Sequence, residues 1–396
     1  MAVADQTAWA NALKQVYSPD AVEELTYADN PLHSLLKKDT NFVGDGFKEA
    51  LIYSNPQGRG VSISLAQNAK NPSQIAAFYL KRVSDYATAS VANETLKATK
   101  GDKGAFLSAL TTEIDGSLRQ LTRSLAIGEY GDGSGVIGTI GSISSATITL
   151  SNPDDVTNFE VGQLVDTFTD KTGSTQHSNG IAISSIDRTA GTITLAATTG
   201  SPAQGDVICV HGDLNGKLSG LAAWLPFTVA SNDSFFGQNR SKDRERLAGC
   251  YTDGRGLSLD ESIINLLAVI ARAGGSPDYL FMDFLNWRNL VKILGPEVRY
   301  VDQKVTPTIG FEAVLFKGPK GVVKVVPDRN CPVDRAYALT MSTWTLRSLG
   351  MAPQLLDTDG NQMLRESTAD NVEIRSGYYA QLGCSAPGYN GVVQLA

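Results

Sequence analysis

The chain has 396 residues, 42% of them hydrophobic and 19% charged, which allows a large core and excludes a disordered or fibrous protein. A net charge of −7 argues against a protein that wraps nucleic acid, which would need basic stripes to neutralise phosphates. The sequence has no apolar run of about 18 residues, and its opening, MAVADQTAWANALKQVY, has neither a basic nor an apolar signal region, so no membrane span or signal peptide is expected.

Residues 1–45 are weakly periodic, with a short helix expected near Thr7–Val16 and a turn at Asn30-Pro31, and they read as an extended arm. Residues 46–91 read as a long hairpin. Phe47, Leu51 and Tyr53 open one strand, and Val61, Ile63 and Leu65 alternate with small residues in another. A polar turn follows at Gln67–Ser73, and Phe78–Val83 returns. The hairpin has too few large apolar residues for a core of its own and must lie on a partner. From 103 to 128, Phe106, Leu110, Ile114, Leu118, Leu121 and Leu125 form one helical stripe, and Gly128 and Gly131 stop it.

Residues 137–212 differ in character. They hold 22 Ser and Thr, no Trp, Tyr or Met, and seven acids against two bases, a net charge of −5. Short strands are expected at Ala146–Leu150, Gln163–Phe168, Gly180–Ile186, Thr192–Leu195 and Asp206–Val210. The tetrapeptide Thr-Ile-Thr-Leu occurs at 147–150 and again at 192–195. This is the pattern of a small all-β barrel or sandwich, entered and left through glycine-rich segments, 131–138 and 212–220, that read as hinges. Residues 213–340 alternate helix and strand. Leu259–Ala273 is a helix with Ile263, Leu266, Leu267 and Ile270 on one face, Tyr279–Asp283 a buried strand, Phe284–Leu294 a helix, and Val322–Val326 and Ala336–Met341 strands. Strand signals at Asn371–Ile374 and Gly391–Leu395 close an α+β body.

Motifs for chemistry fail on context. Gly133-Ser-Gly-Val-Ile-Gly138 has the dinucleotide spacing, but a helix precedes it and strands follow, the reverse of what that site requires. Asp357-Thr-Asp-Gly-Asn361 misplaces the glycine and glutamate of a calcium loop and reads as a polar turn. His33, His177 and His211 read as separate solvent histidines, without a catalytic or metal-binding constellation. Cys209, Cys250, Cys331 and Cys384 form no CxxC pair and read as free thiols in a reducing compartment. The run Arg240–Arg246 interleaves acids with bases and reads as a surface ion-pair loop. No cofactor and no metal are expected.

Three stretches resemble the major capsid proteins of tailed bacteriophages with the Hong Kong 97-like fold. Asp102–Asp115 looks like the start of that family's spine helix, Pro277–Leu294 like a strand-then-helix element of its axial domain, and Asp370–Val393 like its closing peripheral strands. The resemblance implies an N-terminal arm at 1–45, an extended hairpin loop at 46–91, and the spine helix with the start of the peripheral domain at 92–136. An inserted all-β domain would occupy 137–212, the axial domain 213–340 and the closing peripheral strands 341–396. It implies a structural shell protein of the virion, assembled in the bacterial host cytoplasm around double-stranded DNA. The expected partners are copies of itself in hexamers and pentamers, a separate scaffolding protein, a portal and a decoration protein, with non-specific contact to packaged DNA. Inter-subunit contacts are expected at Arg59, Asn68, Lys70, Asn71 and Lys81. One branch of the family crosslinks Lys to Asn, for which Lys70 or Lys81 and Asn371 or Asn390 are candidates by region. The alternative is a phage tail or receptor-binding protein whose β module binds carbohydrate, although that module lacks the Trp and Tyr that stack on sugars.

Overall fold

The computed structural model describes residues 30–92, 103–197, 200–294, 300–301, 313–357, 363–365 and 370–395. The Thr7–Val16 helix expected from the sequence, and nearly all of the 357–361 turn, lie outside them. The fold has two compact units, Ile127–Ala223 and the rest of the chain.

In the larger unit, a short helix α1 (Pro31–Leu35) leads to strand β1 (Lys37–Asp39). His33, read as a solvent residue, is 1% exposed there. Strands β2 (Gly46–Ser54) and β3 (Gln74–Lys81) pair antiparallel, with Gly46 opposite Lys81 and Ile52 opposite Ile75. Between them the expected strand through Val61, Ile63 and Leu65 is instead a helix, α2 (Ile63–Asn68). Alternation alone gives no strand where no partner strand lies alongside. The Ser62 Oγ accepts the Leu65 amide at 3.3 Å, which starts a helix locally. After β3, β4 (Val83–Ala92) leaves the hairpin and pairs along its whole length with a late strand described below.

Helix α3 (Lys103–Tyr130) spans the predicted stripe, of which Ile114, Leu118, Leu121 and Leu125 are each at most 2% exposed, while the side chains of Phe106 and Leu110 lie outside the described ones. Ser124 Oγ donates to Asp85 Oδ2 at 2.6 Å, and so ties the helix to β4.

The smaller unit holds a closed barrel of β5 (Val136–Ser144), β6 (Thr147–Leu150), β7 (Leu164–Phe168), β8 (Gln176–Asp187), β9 (Thr192–Leu195) and β10 (Val207–Val210) in the order β10-β5-β6-β9-β8-β7. The two Thr-Ile-Thr-Leu copies are β6 and β9, and they pair with each other, Ile148 opposite Ile193. Their Ile and Leu side chains enter a core with Ile140, Phe159, Val165 and Ile208, while the threonines stay half-exposed. The glycine-rich segments read as hinges are fastened to one another. Asp132 bridges to Ser219, the Asn215 amide donates to the Ser134 carbonyl at 2.8 Å, and a Cβ on Gly135 would lie 2.4 Å from the Asp213 carbonyl oxygen.

The chain then builds a seven-stranded sheet from β11 (Cys250–Asp253), β12 (Tyr279–Met282), β13 (Tyr300–Val301), β14 (Ala313–Gly318), β15 (Gly321–Pro327), β16 (Arg335–Leu339) and β21 (Gly391–Gln394). Helix α4 (Leu259–Ala273) packs Ile263, Leu266, Leu267 and Ile270 on one face of it, and α5 (Phe284–Leu294) adds Leu290. Sequence order suggested that Gly391–Leu395 would close the other sheet, but β21 lies between β11 and β16. That other sheet joins β1 and β4 to β17 (Trp344–Ser348), β18 (Gln354–Leu355), β19 (Met363–Arg365) and β20 (Asn371–Cys384). β20 is its spine. Val372, Ile374, Ser376, Tyr378, Ala380, Leu382 and Cys384 are all at most 7% exposed; the alternation is clean from Asn371 to Ser376, and beyond it Gly377, Gln381 and Gly383 are buried as well.

Candidate assembly surface

The β2–β3 hairpin has a buried base and an exposed tip. At the base, Ala76, Phe78 and Leu80 of β3 are buried. The Phe78 ring meets Trp224 edge-on with centroids 5.1 Å apart and Phe235 at 6.2 Å. Backbone bonds hold the strand as well: the Tyr79 amide donates to Phe236 at 3.0 Å, and the Gln238 and Gln381 side chains donate to the carbonyls of Ala77 and Lys81 at 2.9 and 3.1 Å. On β2, Glu49 accepts from Arg347 at 2.8 Å, and the same guanidinium donates to Asp39 at 2.6 Å and covers the Phe47 ring at 3.7 Å. The base is thus part of the body's core.

The tip is a different environment. Across residues 55–73 the chain is clasped by the Gln57 amide donating to the Asn71 carbonyl at 3.2 Å. Gly60 is required where it stands, since a Cβ there would sit 2.8 Å from the Ala66 nitrogen. Val61 is fully exposed, Ile63 is 78% exposed and Leu65 53%. Ile52 and Ile75, opposite each other at the head of the strands, are 59% and 61% exposed. So many large apolar side chains turned to solvent on one element make it a candidate contact surface.

Arg59, Asn68, Lys70 and Asn71 all lie exposed on this tip. Lys81 is exposed too, but at the far end of β3, about 20–25 Å away at the rise of a β-strand. Among the described residues, Arg59, Lys70 and Lys81 have no acidic partner. Alternation assigns the apolar residues of the tip to a strand, so their exposure is not read from the sequence.

Asn390 is not available to a neighbouring subunit. It is fully buried, its Oδ1 accepts from the Thr340 amide at 2.7 Å and the Trp344 indole at 2.9 Å, and its Nδ2 donates to Thr343 at 3.0 Å and to the Ala386 carbonyl at 2.9 Å. The Arg240–Arg246 run is structural. Arg240, 5% exposed, bonds Asp233 at 2.5 Å and lies 4.1 Å over the Phe235 ring, and Arg244 donates to the Phe227 carbonyl at 2.6 Å. Arg246 donates to the Tyr53 carbonyl on the hairpin.

The remaining titratable groups are braced within the fold. His177 and His211 are paired, not isolated: Nδ1 of His177 lies 2.6 Å from Asp206, and Nδ1 of His211 lies 2.9 Å from Asp166. Burial opposes the charge on Asp166, but the Gly180 and Gly212 amides at 2.7 and 3.0 Å, together with His211, outweigh it and hold its pKa below the usual carboxylate range. All four cysteines are buried and free, and burial pushes the thiols of Cys209, Cys250 and Cys384 up to about 12, far from reactive thiolates. Gly133–Gly138 runs directly into β5, with no helix after it to receive a pyrophosphate. Among the described residues, no cluster could hold a metal ion and no helix is long and apolar enough to cross a membrane.

Comparisons with known proteins agree with this architecture. A model of the SU10 major capsid protein family matches residues 173–362. The capsid subunit of cyanophage A-1(L) superposes with a TM-score of 0.52 at 13% identity, covering 93% of each chain. A structure from Mycobacterium phage Ogopogo covers 93% of this chain and 92% of its own at 14% identity, with a TM-score of 0.43. No curated protein matches the sequence.

Proposed function

We propose that this chain, a tailed-phage major capsid protein with the Hong Kong 97-like fold, builds its shell by laying the β2–β3 hairpin on a neighbouring copy. The protein is a structural component of the virion. One observation carries the assembly reading: the hairpin base is locked into the body, while Val61, Ile63 and Leu65 stand exposed, with no described residue of their own chain covering them. A neighbour supplies that cover, and Arg59, Asn68, Lys70 and Asn71 form the polar rim around it. Lys81, at the base, contacts a different part of the assembly. The shell is closed, made of pentamers and hexamers, and encloses double-stranded DNA. It forms in the host cytoplasm on a separate scaffolding protein, with a portal at one vertex. The barrel lies on the outside, where its net charge of −5 avoids packaged DNA and a decoration protein can reach it.

The test replaces residues 55–73 with a short Gly-Ser turn and co-expresses the protein with its scaffolding partner. The expected result is a folded subunit with the far-ultraviolet circular dichroism of the parent, and no shells by electron microscopy. Shells at parental yield contradict the proposal.

A further inference from the structure

We infer that the exposed β14–β15 end of the seven-stranded sheet, on the face turned away from α4 and α5, is a docking surface for the phosphate backbone of double-stranded DNA. The inference rests on the shell reading above. Register defines the surface. In the β12–β15 and β14–β15 pairs, Tyr279 and Leu315 both lie opposite Lys324, and Lys317 lies opposite Val322. Side chains alternate along a strand, so Tyr279, Leu315, Lys317, Val322 and Lys324 share one face. The other face carries Leu280, Phe316, Val323 and Val325, which are buried in the core beneath α4 and α5. The lysine-bearing face therefore points away from both helices; it is covered at Phe281, Val326 and Tyr337 and open at Lys317 and Val322.

Composition then identifies the occupant. From Ala313 to Pro327 the chain has three lysines and no acid, inside a protein of net charge −7. The third lysine, Lys320, stands exposed in the turn joining β14 to β15. None of the three has an acidic partner among the described residues. Lys324 is held with its Nζ 5.4 Å from the centroid of the Tyr279 ring, which itself stacks on Phe281 at 6.1 Å, so this cation is braced by aromatic contacts and not neutralised. Among the described residues, exposed Asp278, just before β12, is an acid adjoining this face. Unpaired lysines set along a strand and its turn suit a repeating line of phosphates and do not read bases.

The experiment titrates a fluorescent 30-base-pair duplex of arbitrary sequence with full-length subunits by anisotropy, at salt from 20 to 200 mM. In parallel, shells from the same preparations are counted by electron microscopy. Each phosphate contact contributes about 0.9 to the slope of log affinity against log salt, so the variant K317A/K320A/K324A should lose about 2.7. Lys320→Ala alone, in the exposed turn, should lose about 0.9 and guards against a folding defect in the triple variant. Both variants should form shells as the parent does. An unchanged slope, or no duplex binding by the parent at 20 mM salt, overturns the inference while parental shells leave the shell reading intact. Loss of shells in the triple variant at normal thermal stability would make this face a contact between subunits, and also overturns it. Failure of the parent to form any shell removes the reading beneath it.

Discussion

Replacing Ile63 and Leu65 by alanine separates folding from assembly. Ile63 is 78% exposed and Leu65 53%, so the isolated subunit gains little from either, and its stability should change by no more than about 0.5 kcal/mol. In a shell the same atoms are covered. Full burial of such a side chain contributes about 1.5–3 kcal/mol, so hiding the exposed parts of the two amounts to about 2–3 kcal/mol per contact. Each inter-subunit contact should then weaken about 30- to 150-fold, since 1.4 kcal/mol is a factor of ten. A closed shell repeats the contact many times, so the threshold concentration for assembly should rise steeply. Sedimentation velocity across a concentration series, with scaffolding protein present, measures that threshold, and thermal melting of the free subunit measures folding. An unchanged threshold would refute the reasoning, and so would a subunit melting many degrees lower, which would place these side chains in a core.

Other outcomes follow from the buried parts. Leu118→Asp puts a carboxylate at a position 1% exposed, costs several kcal/mol, and should leave little soluble folded subunit by circular dichroism. Asn390→Ala strands the Thr340 amide and the Trp344 indole without an acceptor and should cost about 3 kcal/mol or more in denaturant unfolding. Asp166 has a lowered pKa in the folded state, so its contribution to stability is full above the unfolded carboxyl value of about 4 and is lost as pH falls further. Thermal melts of Asp166→Asn should therefore show a deficit at pH 7 that shrinks toward pH 3. Residues 127–223, expressed alone, should give a dispersed amide spectrum, because the barrel closes on its own core.

Much of the fold was legible where one residue pattern had a single outlet for its apolar side. The α3 stripe from Ile114 to Leu125 and the α4 face from Ile263 to Ile270 read directly as helices, and their apolar residues are buried. The repeated Thr-Ile-Thr-Leu announced two matching strands, though not that they pair with one another. Legibility failed where a local choice depended on distant partners. Val61–Leu65 alternates like a strand but, among the described residues, has no neighbouring strand to bond, so the Ser62 cap decides for a helix. β21 follows β20 closely in sequence, yet its partners Cys250–Asp253 and Arg335–Ala338 lie far back in the chain. The polar residues of the tip could be placed on an exposed turn from turn chemistry, whereas the exposure of the apolar ones beside them could not, because their alternation reads as a half-buried strand. Asn390 looked like any asparagine near a terminus until four hydrogen bonds from its side chain were seen to hold Thr340, Thr343, Trp344 and Ala386 together.

The most direct test of the account is a cryo-electron microscopy map of the particles formed by the full chain, at a resolution that traces the hairpin. The account predicts closed icosahedral shells in which Val61, Ile63 and Leu65 of each subunit are covered by an adjacent copy. Particles in which the 55–73 tip projects into solvent, touching no neighbour, would contradict it.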